Sequence, residues 1–395
     1  MKMKVKLGDI AILINGDRGK NYPSQADIVL DGDVPFVNAG HLNGRNINFS
    51  EMNYISKEKY AQLNSGKFRE GDILYCLRGS LGKKAVVNSS IQGAIASSLV
   101  IIRPDSMRVD VDYLMFALDS PSIQEQLIKA NNGSSQPNLS AASVRGYEVD
   151  LPDKKIQEDI VDKLSKVRAI IDARQQELQK LDDLIKARFV EMFGDTVTNS
   201  MNWEEHVLSE YIVFLTSGSR GWAQYFTDES GEVFITIKNV KNNHINLDNV
   251  QYIMAPNNKE AERTKVQAGD LLISITADLG RTGVVDEDIA SKGAYINQHL
   301  SLVRLDSSKI SPLYVSYFLE TEGGKRQFES RNQNGVKAGL NFDAIKSLRI
   351  LVPDKKLQEE YLQFVKQVDK SKVVIQKALD ETQLLFDSLM QKYFG

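Results

Sequence analysis

Catalysis needs particular residue types at particular spacings, and this chain offers few of them. Its four histidines, His41, His206, His244 and His299, lie far apart and form no HExxH or related cluster. Its one cysteine, Cys76, excludes an internal disulfide and a cysteine-based zinc site. Cys76 lies in an apolar run and reads as buried and inert. His299 has no acid or nucleophile tied to it in sequence and reads as structural. The run Gly79-Ser80-Leu81-Gly82-Lys83-Lys84 has neither the spacing of a phosphate-binding loop nor a Ser/Thr after the lysine. An adenine methyltransferase holds its flipped base with an Asn/Asp-Pro-Pro-aromatic segment, and no such segment is present. Pro152-Asp153 and Pro353-Asp354 could supply a nuclease's metal-binding aspartates. Both stand immediately before long proline-free runs, however, which fits a helix start better. No catalytic residue and no metal site is assigned.

The elements that could position other chemistry follow from length and pattern. The chain has 395 residues, 42% hydrophobic and 26% charged, enough for two or three domains, each with its own core. The apolar fraction is ordinary and no long low-complexity run appears, which excludes disorder. No apolar run approaches the roughly 18 residues of a membrane span. The opening MKMKVKLGDIAILINGD has its apolar stretch broken by Asp9, and no small-residue cleavage site follows. It reads as a strand start rather than a signal peptide. The expectation is a soluble, cytoplasmic, multi-domain protein that makes no membrane contact.

The chain is an internal duplication. Leu151-Pro152-Asp153-Lys154-Lys155-Ile156-Gln157-Glu158 returns 201 residues later as Val352-Pro353-Asp354-Lys355-Lys356-Leu357-Gln358-Glu359. Phe193-Gly194 returns as Phe394-Gly395 at the same offset. Upstream, Gly71-Asp72-Ile73-Leu74 matches Gly269-Asp270-Leu271-Leu272, Asn46-Ile47-Asn48 matches His244-Ile245-Asn246, and Leu81-Gly82 matches Leu279-Gly280. Val86-Val87 matches Val284-Val285, and Gly93-Ala94 is paired with Gly293-Ala294. The matches are collinear and their offset drifts only between 198 and 201. Residues 1–194 are followed by a diverged copy, 195–395.

Each copy divides by composition. Residues 153–193 and 354–394 hold no proline or glycine and are rich in helix formers. Leu164, Val167, Ile171, Leu178, Leu181 and Ile185 recur at three- and four-residue spacing, as do Val365, Val368, Ile375, Leu379, Phe386 and Leu389, which makes a coiled-coil seam. Each helix would run about 60 Å. Two polar seam positions, Arg174 and Lys372, are candidates to set register. The remainder, 1–152 and 195–353, holds nearly all the glycines and short β-branched clusters such as Ile73–Leu77 and Leu271–Thr276. Each reads as a mostly-β α+β globule. The expected domains are a globule at 1–152, a spacer helix at 153–194, a second globule at 195–353 and a second spacer helix at 354–395. An antiparallel pairing of the helices would place the globules on a pseudo-twofold axis, held apart by a stiff spacer.

Two different heads on one spacer suit a target with two separated elements. Duplex DNA offers such targets, since half-sites on one face recur about every 34 Å. Charge neither requires nor forbids this. The helices are neutral, with nine residues of each sign in 153–193 and seven of each in 354–394. The globules carry 17 basic and 16 acidic residues, then 16 and 20. Such a balance argues against non-specific binding through bulk charge and leaves room for a local basic face.

The plan of globule, heptad helix, globule, heptad helix resembles the DNA-specificity subunit of Type I restriction-modification systems. Several segments share that resemblance: Trp203–Leu208 leading into Ser209-Glu210-Tyr211-Ile212, Ala268-Gly269-Asp270-Leu271-Leu272, Leu279-Gly280-Arg281-Thr282-Gly283, Ile296-Asn297-Gln298-His299-Leu300, and Leu151–Glu158. The resemblance covers the whole chain. It implies that the globules are target recognition domains, each reading one half of a bipartite duplex site. It also implies that the paired helices set the gap and dock two DNA adenine methyltransferase subunits, and that motor-endonuclease subunits can join through these. The chain itself would be no enzyme and would hold no cofactor. Its partners would use S-adenosylmethionine, with ATP and Mg for restriction.

Candidate DNA contacts come from polar loops, with Arg suited to guanine edges, Asn and Gln to adenine, and Lys or Ser to phosphate. In the first globule these are Arg18, Lys20, Asn43, Arg45, Arg78, Lys83, Lys84 and, in the Asn131–Asn138 loop, Ser134, Ser135 and Gln136. In the second they are Arg220, Trp222, Lys238, Lys241, Asn242, Arg281, Asn297, Gln298 and, in the Arg331–Lys337 loop, Asn332, Gln333 and Lys337. The alternatives are a specificity subunit of a Type II-like methyltransferase-nuclease, a self-contained nuclease, and a stand-alone DNA-binding or structural coiled-coil protein.

Overall fold

Both proline- and glycine-free segments form single continuous helices, Lys154–Phe193 and Lys355–Phe394, in the computed structural model, which describes residues 3–88, 90–131, 137–228, 230–332 and 339–395. Asp153 and Asp354 stand one residue before them, and their main-chain carbonyls accept the first helical bonds, from the Gln157 and Gln358 amides among others. Both aspartates are thus at helix starts.

The repeated Gln has a structural reason. Gln157 is fully buried; its Oε1 accepts from the Asp110 amide at 2.8 Å, while its Nε2 donates to the carbonyls of Pro152 (2.8 Å) and Arg108 (3.1 Å). Gln358 repeats this with the Ser311 amide and the Pro353 carbonyl. Each long helix is stapled to its globule by an amide whose donor and acceptor are both used, which buried polar groups require.

The chain packs as two compact units, residues 1–176 with 376–395, and residues 177–375. This differs from a division at the globule-helix borders, because half of each long helix shares a core with one globule. In the first unit Ile160, Leu164 and Ile171 pack with Phe386, Met390 and Phe394 and with the globule's Tyr113, Phe116 and Ile123. In the second, Ile185, Phe189 and Phe193 pack with Tyr361, Val365 and Val368 and with Tyr314. Within each unit the start of one helix meets the end of the other, so the pairing is antiparallel. All twelve expected seam residues are buried or half-buried. The seam has an aromatic extension that heptad reasoning missed: Phe189 lies 5.3 Å from Tyr361 and Phe193 5.0 Å from Tyr314, ring centre to ring centre. The polar seam residue Lys372 lies 2.6 Å from Asp182 on the facing helix. That ion pair works in a single register.

The two globules share one architecture. In the first, Ala11–Asn15, Leu99–Pro104, Ile73–Cys76 and Lys84–Val86 lie side by side in that order as an antiparallel sheet. A second sheet contains Val34–Val37 parallel to Gly93–Ile95. The second globule repeats both, with Ile212–Ser217, Leu300–Leu305, Leu271–Ser274 and Thr282–Val284, and with Glu232–Ile235 parallel to Ala294–Ile296. First and last strands pair and deliver the chain to its helix, Met3–Lys6 with Glu148–Leu151 and Glu205–Val207 with Arg349–Leu351. Register corrects one detail of the repeat. Phe36 faces Ala94 and Phe234 faces Tyr295, so the structural partner of Ala94 is Tyr295, one residue on from the Gly-Ala match.

The repeated Gly-Asp is also explained. Gly71 and Gly269 hold left-handed turns, φ +82° and +86°. The following carboxylates are buried and grip an arginine on the neighbouring strand with two bonds, Asp72 to Arg103 (both 2.8 Å) and Asp270 to Arg304 (both 2.7 Å).

Candidate nucleic-acid interface

In each globule the strands deliver several loops to one edge, and the main chain there follows a common framework. In the first, the Leu77 amide donates to the Ser98 carbonyl (2.8 Å), and the Leu139 amide donates to the Leu77 carbonyl (2.8 Å). Arg78 forms a β-bridge with Asn138. The 16–22 loop packs on the same turn. A side chain at Gly16 would meet the Ala96 carbonyl, and the Ser97 amide donates to the Tyr22 hydroxyl at 3.4 Å. Exposed Arg18, Lys20 and Arg78 are thereby brought to one edge, with half-buried Lys83 on the same hairpin as Arg78. Cys76 lies beneath, donating to the Arg78 carbonyl; burial pushes its thiol up, so it stays protonated.

The second globule repeats the framework. The Ile275 amide donates to the His299 carbonyl (2.9 Å), the Leu340 amide to the Ile275 carbonyl (3.0 Å), and Thr276 bridges Gly339. The 217–222 loop closes against it through the Ser219–Asn297 bridge, with Gly218 too close to the Asn297 carbonyl for any side chain. Exposed Arg220 and half-buried Asn297 and Gln298 come together there. Sequence reasoning passed over two residues at this edge. The His299 ring lies with Nδ1 2.6 Å from the Thr276 hydroxyl and Nε2 3.2 Å from the Gln298 amide nitrogen. These groups are 22 to 23 positions apart, and strand pairing alone unites them.

Other candidates lie elsewhere or are already engaged. Arg45 is ion-paired with Asp112, its guanidinium 4.7 Å over the Phe116 ring. Lys84 is buried against Asp119; burial pushes its pKa down while Asp119 opposes the shift. Arg45, in the turn before Asn46, fastens to the helix Val111–Ala117, and Lys84, on the sheet, fastens to the segment just after that helix. Trp222 is a core residue, 5% exposed, with its ring 5.6 Å from Phe234 and 5.4 Å from Tyr295. Arg281 is ion-paired with Asp278 on its own hairpin. Lys241, Asn242, Arg281 and Asn332 line a cleft of about 350 Å³ with Lys325 and Glu320. Asn43 and Lys238 are exposed on hairpins and turns of their own. Ser134, Ser135, Gln136, Gln333 and Lys337 lie outside the described residues. Among the described residues no group of three or more His, Cys, Asp or Glu is placed to hold a metal ion, and no helix is long and apolar enough to cross a membrane.

The repeated globules, each closed onto half of two antiparallel helices and each presenting a variable loop edge, define a class. The family described as Type I restriction modification DNA specificity domain matches residues 2–183 and 219–382, and the chain belongs to it. Among relatives, the chain is 22% identical to the Type I restriction enzyme StySPI specificity subunit of Salmonella potsdam, over 95% of this chain and 85% of that one. It is 20% identical to the EcoKI specificity subunit of Escherichia coli K12, with the same shares. The fold resembles the crystal structure of the Type I restriction-modification system S subunit from M. genitalium, at TM-score 0.57 and 15% identity, covering all of this chain and 96% of that one.

Proposed function

We propose that this chain is the non-catalytic DNA-recognition subunit of a Type I restriction-modification complex in the cytoplasm, each globule reading one half of a bipartite duplex site. The observation that carries this is the loop edge that occurs twice. The main-chain framework is the same in both globules, while the side chains on it differ, Arg78, Ser97 and Ser98 in one and Thr276, Gln298 and His299 in the other. A conserved scaffold with exchanged polar groups is what reading two different short sequences requires.

The long helices supply the rest of the proposal. They would fix the gap between half-sites and dock two DNA adenine methyltransferase subunits. Each half carries exposed apolar side chains that a partner could cover, Ile170 and Leu384 in the first unit, Leu184 and Val374 in the second. Motor-endonuclease subunits would join through the methyltransferases. S-adenosylmethionine, and ATP with Mg, would belong to those partners. The test is to purify the tagged chain from its host, weigh the assembly and map the host's methylated adenines. Two methyltransferase copies and a bipartite methylated motif that disappears on deleting this chain are expected. A lone chain with no motif dependent on it would refute the proposal.

A further inference from the structure

Resting on the DNA-reading proposal above, we infer that Gln298 reads an adenine in the half-site of the second globule, presented by His299 and Thr276, and that Arg78 reads a guanine in the other half-site. The two globules hang different side chains on equivalent main-chain positions. Leu77 and Ile275 occupy the same place, since each accepts from the amide of the returning loop and donates to the turn that follows the parallel strand. Arg78 therefore corresponds to Thr276, and Ser97-Ser98 to Gln298-His299. Each edge carries one long side chain at these positions, a guanidinium in the first and a carboxamide in the second.

The hydrogen bonds fix how the carboxamide is presented. The Gln298 Nε2 lies 3.2 Å from His299 Nε2, and an amide N–H donates there only if that ring nitrogen is bare. The ring proton then sits on Nδ1 and is donated to the Thr276 hydroxyl at 2.6 Å. With one amide hydrogen used, Gln298 keeps Oε1 and its second N–H side by side, an acceptor next to a donor. That pair complements the N6 amino group and N7 of adenine. Were the tautomer reversed, His299 would donate to the amide oxygen and the carboxamide would turn round, exchanging the places of acceptor and donor. Thr276 and His299 are thus positioning residues acting through Gln298. Arg78 needs no such arrangement, because its fork of donors matches guanine O6 and N7 as it stands. It is exposed on the hairpin tip, which the Asn138 bridge holds in place.

The test is selection of binding sites from a randomised duplex library by the full chain, purified with whatever partner subunits accompany it, followed by sequencing. For Gln298→Ala we expect an about 10- to 100-fold loss of adenine preference at a single position of one half-site, with the other half-site unchanged. Arg78→Ala should do the same to one guanine in the opposite half. Thr276→Val, which keeps the shape and removes the acceptor, should relax the same adenine position, and Thr276→Ser should retain it. A structural role for Thr276 would instead weaken every position together. The inference is overturned if Gln298→Ala and Arg78→Ala leave all base preferences intact or lower them uniformly, the pattern of a phosphate contact. If the unaltered chain selects no motif, the DNA-reading proposal fails as well, which separates the two failures.

Discussion

Asp270→Asn should destabilise the second unit strongly and leave its DNA preference untouched. Asp270 is fully buried and accepts three bonds, from Arg304 Nε and Nη2 at 2.7 Å each and from the Gln267 amide at 2.7 Å. The amide variant keeps the shape but removes the charge facing Arg304, whose side chain is only 27% exposed and lies over the Phe214 ring at 5.4 Å. Breaking a buried pair from one side costs about 3–5 kcal/mol, most of it from the uncompensated partner. With roughly 2–4 °C per kcal/mol for a unit of this size, the melting temperature should fall by about 6–20 °C. Lys292→Gln is the control. Its pair with Asp288 is exposed, and exposed pairs of this kind are worth little. Calorimetry of the intact chain reads both. Adding Arg304→Met to Asp270→Asn should recover much of the loss, because replacing both partners leaves no stranded charge. A shift no larger than the control's, or a double variant as unstable as the two single losses summed, would refute the reasoning. So would a changed half-site at a temperature where the variant is folded, since the pair lies at the far end of strands leading to Ile275 and His299.

Three further outcomes are expected. Gln157→Ala strips the Asp110 amide and two carbonyls of their buried partner, so urea unfolding should show a loss of about 2–4 kcal/mol in the first unit, and Gln358→Ala the same in the second. Inserting one heptad into both long helices, after Gln176 and after Ile375 where the compact units divide, should lengthen the recognised gap by about 10 Å, or roughly three base pairs. Methylome sequencing should show both half-sites unchanged, and an altered half-site would contradict the spacer role. The carboxylates of Glu210, at 2.9 Å, and Glu204, at 3.4 Å, accept from the ring N–H groups of His206, and the Glu210 bond chiefly raises its pKa. A group raised on folding stabilises below its unfolded pKa and loses that contribution as pH rises through the folded one. NMR titration should therefore find His206 above the ordinary histidine range, returning toward it in Glu210→Gln.

Periodicity and repetition made the architecture legible. Forty-one residues without proline or glycine, apolar at three- and four-residue spacing, can bury that stripe only as a helix against another surface, and both segments do so. The duplicated Gly-Asp and Gln-Glu motifs were visible as repeats, while their work, a strand clamp and a helix staple, became visible only when Asp270 met Arg304 and Gln157 met Asp110. Composition could not distinguish Lys84, buried against Asp119, or Trp222, sealed among aromatic rings, from exposed loop residues of the same type.

What the sequence determined by itself is therefore the set of elements and their order, because amphipathic period and turn chemistry are local properties that survive without tertiary contacts. It also determined that the chain is two related halves, each a globule followed by a long helix, because collinear repeats are written in the chain. Which polar side chains face outward together was decided by tertiary structure alone. Thr276, Gln298 and His299 meet because two strands pair in one register, and a shift of a single residue would turn every side chain to the opposite face.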